Sequence, residues 1–240
     1  MGLMQMGEIV QLMIVTGASA GIGLATAQRF LDDGYNVVNL SRRRCPIRAV
    51  NHVNCDLAVP GFFEPLSSTL TPLLKDAERI VLIHNASRML SDSAVETPSK
   101  RLREVLEVNL VAANTLNYSL IPYLRSGSSI LYVGSTLSKK AVPGSFSYII
   151  SKHAIVGMMR ATCQDLAGRG IHTACVCPGF TDTEMLRQHV SAESMESVRN
   201  RSAFGRLIAP EEIAGTLHFC AHNPVINGAV LHANLGQIEH

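Results

Sequence analysis

Leu12-Met13-Ile14-Val15-Thr16-Gly17-Ala18-Ser19-Ala20-Gly21-Ile22-Gly23 is an apolar run, a glycine-rich turn and the opening of an amphipathic stretch in direct succession. The apolar run does not alternate, so Leu12–Thr16 reads as a strand buried on both faces. Helical spacing then holds from Ile22 to Leu31, with Ala25, Phe30 and Leu31 expected inward and Gly34 as the stop. Glycines at 17, 21 and 23 permit a tight turn and a close approach of backbone to a pyrophosphate, and the helix N-terminus adds N–H donors and a positive dipole end. Ser19 and Ile22 are expected to add hydroxyl and backbone contacts. The spacing differs from the Gly-x-Gly-x-x-Gly dinucleotide fingerprint, and a glycine-rich turn that binds nothing would share the local pattern.

Working outward, short apolar runs alternate with helical patterns along the whole chain. Further strands are expected at Asn36–Leu40, His52–Asn54, Arg79–His84, Ser128–Gly134, Ile171–Cys177 and Ala229–His232. Helices are expected at Gly61–Lys75, Ser99–Leu124, Tyr148–Leu166 and Pro210–Cys220, with Pro72 disturbing the end of the first. No linker or repeat divides the 240 residues. The expectation is one α/β domain over 1–240, a Rossmann-type doubly wound parallel sheet of about seven strands with helices on both faces. Ligands on such sheets bind at the carboxyl ends of the strands.

A second pattern carries chemistry. Tyr148 and Lys152 stand at i and i+4, on one face of a helix, and Ser135 lies thirteen residues before Tyr148. A phenol ordinarily titrates near ~10, and a fixed positive charge beside it favours the phenolate. Ser135 ends a strand and can donate a hydrogen bond to a carbonyl. A nucleotide cradle and an activated tyrosine together point to hydride and proton transfer. The plainer alternatives are a strand-end cap for Ser135 and a solvated helix face for Tyr148 and Lys152.

Composition removes other classes. The net charge of +2 gives no nucleic-acid surface, and tryptophan is absent, so base-stacking platforms are not expected. Every apolar run is broken well short of a membrane span. Met1 to Gln11 carries Glu8 and lacks the pattern of a signal peptide, and Met4 and Met6 leave the native start open. Six scattered cysteines without a Cys-x-x-Cys pair read as buried reduced thiols of a cytoplasmic protein, Cys175 and Cys177 sharing one strand face. His218 and His222 have i, i+4 spacing but no third ligand nearby in sequence, so they are taken as ordinary helix residues and no metal is expected.

The sequence resembles the short-chain dehydrogenase/reductase family across nearly its whole length. The carriers are Thr16–Gly23; Asp56 and Leu57, at the position that holds the adenine; Asn85-Ala86-Ser87, where the family has Asn-Ala-Gly; Asn109, Ser135, Tyr148 and Lys152, which match the catalytic tetrad; Pro178-Gly179-Phe180-Thr181-Asp182-Thr183, like the segment that contacts the nicotinamide; and Ile226-Asn227-Gly228 before the last strand. The resemblance implies that Lys152 also holds the nicotinamide ribose, and that Asn109 binds a water through its backbone and links Lys152 to solvent. It implies a small-molecule carbonyl or alcohol substrate and a homo-oligomer, tetramer or dimer, packed through the long helices.

Cofactor choice rests on Asn39-Leu40-Ser41-Arg42-Arg43-Arg44. An acid at the strand end would bind the adenosine ribose and repel a 2′-phosphate; Ser41 stands in its place and Arg42 follows, which favours NADP(H) over NAD(H). A solvated basic turn is the alternative, and Ala20 lacks the second basic residue of some relatives. Between Leu40 and His52 there is room only for an abbreviated connection where relatives have a helix. Ser87 replaces a glycine, and Ala233-Asn234-Leu235-Gly236 departs from the common Val-Asp-Gly-Gly, which touches assembly. Residues 184–204 read as one or two short helices forming a substrate lid, and Lys139–Phe146 is the other variable stretch. Met185, Leu186, Val190 and Met195 are candidates to line an apolar pocket, and Arg187, His189, Arg199 and Arg201 to recognise an anion. Two other readings stay open: a non-catalytic nucleotide sensor or scaffold, and an enzyme that uses the same tyrosine for epimerisation or elimination.

Overall fold

The computed structural model describes residues 10–237; the start-site question at Met1 to Gln11 falls largely outside them. Seven parallel strands, β1 (Gln11–Thr16), β2 (Asn36–Ser41), β3 (Asn51–Asn54), β4 (Arg79–His84), β5 (Ser129–Val133), β6 (His172–Pro178) and β7 (Ala229–Ala233), form one sheet in the order β3-β2-β1-β4-β5-β6-β7. The order reverses between β1 and β4, and at such a switch the loops after the two strands diverge and leave a crevice.

Side chains alternate along each strand, so the sheet feeds two cores. Leu12, Ile14, Leu82, Ile130, Tyr132 and Cys175 face α2 (Ser67–Asp76), α4 (Ala112–Leu120) and α5 (Phe146–Asp165). Met13, Val15, Val81, Leu131 and Val176 face α1 (Gly21–Asp32) and α8 (Pro210–His222). Burial on both faces is why these strands read as unbroken apolar runs.

Several boundaries differ from the expectation. On α1 the buried residues are Gly23, Thr26, Ala27 and Phe30, while Ala25 and Leu31 are only half-buried. The helix expected from Gly61 starts as a 3-10 turn at Glu64–Leu66, and Pro72 lies inside α2, where it removes the N–H that would bond the carbonyl of Ser68 in the first turn. The helix expected over Ser99–Leu124 is three pieces: α3 (Ser99–Leu106), a π-turn at Glu107–Val111, and α4, with Ile121–Tyr123 as a closing 3-10 turn. Residues 42–50 contain no helix, as the shortness of that segment required. Residues 184–204 hold two short helices, α6 (Glu184–His189) and α7 (Met195–Arg199). All six cysteines are free and buried, and Cys175 and Cys177 lie 3.8 Å apart at sulfur. No helix among the described residues is long and apolar enough to cross a membrane.

Candidate active site

The residues singled out in the sequence gather at the carboxyl edge of the sheet. Gly17 follows β1 with φ +74°, and a Cβ there would meet Ala86 at 3.2 Å. Gly23 is tighter: a Cβ would lie 2.4 Å from the Gly17 carbonyl oxygen and 2.5 Å from Asn85 Nδ2. Gly21, at φ +55°, lies under Thr183, whose Cγ2 a Cβ would meet at 3.1 Å. The loop after β6 thus packs on the glycine turn. The α1 N-terminus has no side-chain cap and no acidic residue in its first turn, so its positive end is not offset locally.

Buried polar groups hold this turn. Thr16 Oγ1 accepts from the backbone N–H groups of Asn85 and Ala86 at 3.0 and 2.9 Å, and Asn85 Nδ2 donates to the Thr16 and Gly17 carbonyls. Asn39, fully buried, accepts from Ala18 N–H at 2.8 Å and donates to Ser41 Oγ. Asn39 was missed as a site residue, although a polar side chain inside an apolar strand is the signal that exposes it, since burial demands partners. Ser41 in turn donates to the Arg43 carbonyl. Arg42 is largely exposed, 4.0 Å from Asp56, and Arg43 pairs with Glu184 at 2.9 Å. Asp56 accepts from Ala58 N–H, beside Leu57 at the end of β3. Ser87 carries a buried hydroxyl with no hydrogen-bond partner among the described residues.

Tyr148 and Lys152 are both buried on α5, and Lys152 Nζ lies 5.4 Å from the Tyr148 ring centroid. Nζ donates to the Val133 carbonyl at 2.7 Å, which leaves two further N–H groups. Asn109 sits in the π-turn; its Nδ2 donates to Ser151 Oγ and the Arg88 carbonyl, both at 2.9 Å, and its Oδ1 accepts from Arg88 N–H at 2.7 Å. Ser135 lies two residues beyond β5 and caps the 3-10 turn Thr136–Ser138, accepting from Leu137 N–H at 3.1 Å. The plain reading of Ser135 as a cap therefore holds, and its own hydroxyl proton remains free. Thr16, Leu57, His84, Ala86, Asn109, Val133 and Lys152 surround a cavity of about 10 Å³.

Two supports had no signature in the sequence. Asp92 Oδ1 accepts from Ser147 N–H at 3.1 Å and so caps the start of α5, whose Ser145 cap residue makes no side-chain bond. His84 Nε2 donates to Asn117 Oδ1, Asn117 to Tyr132 Oη, Tyr132 to Thr162 Oγ1, and Thr162 to the Met158 carbonyl, a one-way chain that ties β4, α4, β5 and α5 together. Burial pushes the His84 pKa down to about 4, so it is neutral near pH 7 and supplies no proton.

In the segment 184–204, Met185, Leu186, Val190 and Met195 are half-buried, and Val198 is the buried apolar residue. Arg187 is paired with Asp182 and Arg199 with Glu196, which fits a solvated helix face better than an anion site. His218 and His222 lie beside Asp33, which the fold brings to His218 from 185 residues away in the sequence.

Residues 17–237 match the sequence family described as enoyl-(acyl carrier protein) reductase. The chain belongs to the short-chain dehydrogenase/reductase family. As a short-chain dehydrogenase/reductase it is an NAD(P)-dependent oxidoreductase. It is 28% identical over 223 residues to the 3-oxoacyl-(acyl-carrier-protein) reductase FabG of Thermotoga maritima, covering 87% of this chain and 89% of that one. Ligand-free aldohexose dehydrogenase of Thermoplasma acidophilum superposes with a TM-score of 0.87 at 26% identity, over 95% of this chain and 93% of that one. A putative NAD(P)-dependent gluconate 5-dehydrogenase from Beutenbergia cavernae, solved with bound NADP at low occupancy, gives 0.84 at 29% identity, over 94% and 96%.

Proposed function

We propose that this short-chain dehydrogenase/reductase uses NADP(H) to interconvert a small-molecule carbonyl and a secondary alcohol, with Tyr148 as the acid or base. The observation that carries the reading is the buried Tyr148–Lys152 pair at the carboxyl edge, with Lys152 Nζ fixed by the Val133 carbonyl. When bound, the nicotinamide supplies or accepts the hydride. In the reducing direction Tyr148 Oη gives its proton to the developing alkoxide, and the Ser135 hydroxyl donates a hydrogen bond to the same oxygen. The two N–H groups left on Lys152 serve the ribose hydroxyls and a water. The cavity beside Asn109 and Lys152 is about the volume one water requires, and proton supply runs through it.

The residues suit a dinucleotide. The uncapped, acid-free start of α1 favours an anion, with Gly17, Ser19, Gly21, Ile22 and Gly23 around the pyrophosphate. The orphaned Ser87 hydroxyl, with Asn85 and Ala86, gives a polar wall beside the nicotinamide ribose. Pro178, Gly179, Thr181 and Thr183 complete that side, and Asp56 and Leu57 the adenine side. The preference for NADP(H) rests on Ser41 in the place of an acid and on the exposed Arg42 guanidinium, which a 4.0 Å contact with Asp56 leaves open to a phosphate. The NADP bound to the Beutenbergia relative agrees with it. The same reading makes residues 1–240 one cytoplasmic domain, 184–204 its lid, and the assembly a homo-oligomer.

Titration with NADPH and NADH, followed by nicotinamide fluorescence, tests this. NADPH is expected to bind more tightly, and Arg42→Ala to weaken NADPH by about 10-fold or more, from a lost charge-assisted bond of roughly 1.5–3 kcal/mol, while barely moving NADH. Equal losses for both cofactors would overturn the phosphate assignment.

A further inference from the structure

We propose that Asp33, His218 and His222 form a binding site for a transition-metal dication, zinc above all, on the side of the sheet covered by α1 and α8. The site lies apart from the proposed chemistry. Asp33 caps the C-terminal end of α1, and twelve residues at about 1.5 Å each put the glycine turn some ~18 Å away. The proposal does not depend on what the enzyme reduces or oxidises.

The geometry is close to what a metal needs. His218 and His222 stand one turn apart on α8, so their rings share a face. Asp33 Oδ2 lies 2.8 Å from His218 Nε2 and 3.6 Å from His222 Nε2, and one ligand atom from each residue falls within 4.8 Å of the others. Donors bound at about 2.0–2.1 Å to a tetrahedral zinc are roughly 3.4 Å apart, so small side-chain rotations suffice. Two imidazoles and one carboxylate suit zinc, cobalt, nickel or copper and not magnesium or calcium, which prefer oxygen.

The surroundings prepare the ligands. His222 Nδ1 lies 2.8 Å from the His218 carbonyl oxygen, which only accepts; Nδ1 therefore carries the proton, and the Nε2 lone pair accepts from Tyr35 Oη, a bond that a metal would replace. Phe30 packs edge-on against His218 at 5.1 Å and stacks with His222 at 6.2 Å, and Tyr35 stands edge-on to His222 at 5.9 Å. These aromatic walls restrict the rings before any metal arrives. Tyr35 Oη, 3.0 Å from His222 Nε2, is placed to turn and bond a metal-bound water in the fourth position. Two cations oppose a dication here and moderate the affinity: Arg79, which donates to the Ala221 carbonyl at 2.7 Å and acts on His222, and Arg29, which acts on Asp33. The two imidazoles pack with their centroids 4.4 Å apart, a contact a shared cation would bridge.

A metal here would brace the end of α1 against the end of α8 and leave turnover alone. The test uses untagged, chelator-stripped full-length protein. Cobalt is expected to bind at 1:1 with visible d–d bands of low symmetry and no thiolate charge-transfer band. Zinc at about 100 times its Kd should raise Tm by about 5–10 °C, with no rise in magnesium or calcium. Asp33→Asn and the double variant His218→Gln/His222→Gln should each lose the zinc response, and turnover of the wild type should be unchanged by zinc to within about twofold. Asp33 is a half-exposed cap, so its variant serves if the double variant does not fold. An unchanged Tm in zinc, a thiolate band in the cobalt spectrum, or an undiminished zinc response in the Asp33→Asn protein would overturn the site.

Discussion

The surroundings of Tyr148 and the segment from Glu184 to Phe204 are built by opposite means. Around Tyr148, each support is out of water: Asp92 caps α5, Asn109 clamps Ser151 and Arg88, and the His84–Asn117–Tyr132–Thr162 chain locks the helices to the sheet. Between 184 and 204, two helices of six and five residues are held by exposed pairs such as Arg43–Glu184 and Arg199–Glu196. A buried polar group that loses its partner costs the full desolvation penalty, whereas an exposed ion pair contributes under about 1 kcal/mol. The scaffold around Tyr148 is therefore intolerant of substitution, and the segment 184–204 is tolerant of it.

Four changes would break or sharpen that contrast. Tyr148→Phe should lower kcat by about 10²–10⁴-fold while Tm and NADPH affinity stay near wild type; steady-state rates retaining a tenth of activity would remove Tyr148 from its role. The second is acid sensitivity. His84 titrates near 6.5 when unfolded and about 4 when folded, because burial disfavours its cation. Between those values the unfolded chain binds the extra proton, so stability is lost as pH falls from about 6.5 to 4, by up to about 3 kcal/mol. Guanidinium unfolding across that window should show a flatter profile in His84→Gln, and parallel profiles would place the sensitivity elsewhere. Third, Gly23→Ala forces a methyl group into the Gly17 carbonyl and should cost about 1–3 kcal/mol, read from the denaturant midpoint, and weaken dinucleotide binding. Last, Glu184→Gln should change stability by less than about 1 kcal/mol yet shift KM for substrate; a stability loss as large as that of Gly23→Ala would erase the contrast.

Most of the sheet was legible because burial on both faces leaves apolar runs without alternation at β1, β4 and β5, and glycines mark the turns. Tyr148 with Lys152 and the glycine turn were legible because their partners are local: Tyr148 and Lys152 share a helix turn, and Gly17, Gly21 and Gly23 one loop; Asn109, whose partner Ser151 is 42 residues away, was matched through the family resemblance. What stayed hidden depends on chain distant in sequence. Asp92 reaches α5 across 55 residues and Asp33 reaches His218 across 185, and no periodicity encodes either meeting. The break at Glu107–Val111 escaped for another reason: its residues are ordinary helix formers, and tertiary demands on Asn109 overrule their preference for an α-turn.

That π-turn makes the helical stretch from Ser99 to Leu120 one residue longer than an α-helix joining the same ends. Each residue of an α-helix advances the face by about 100°, so the surplus residue is a phase slip between α3 and α4. Substitution leaves the slip in place: a scan would score Leu110 as one more half-buried leucine. Deletion of a single residue there would bring the two segments back into phase, turn α3 by about a quarter of a revolution against α4, and carry Asn109 off Ser151. Tolerance to replacement and intolerance to shortening would then coexist at the same position.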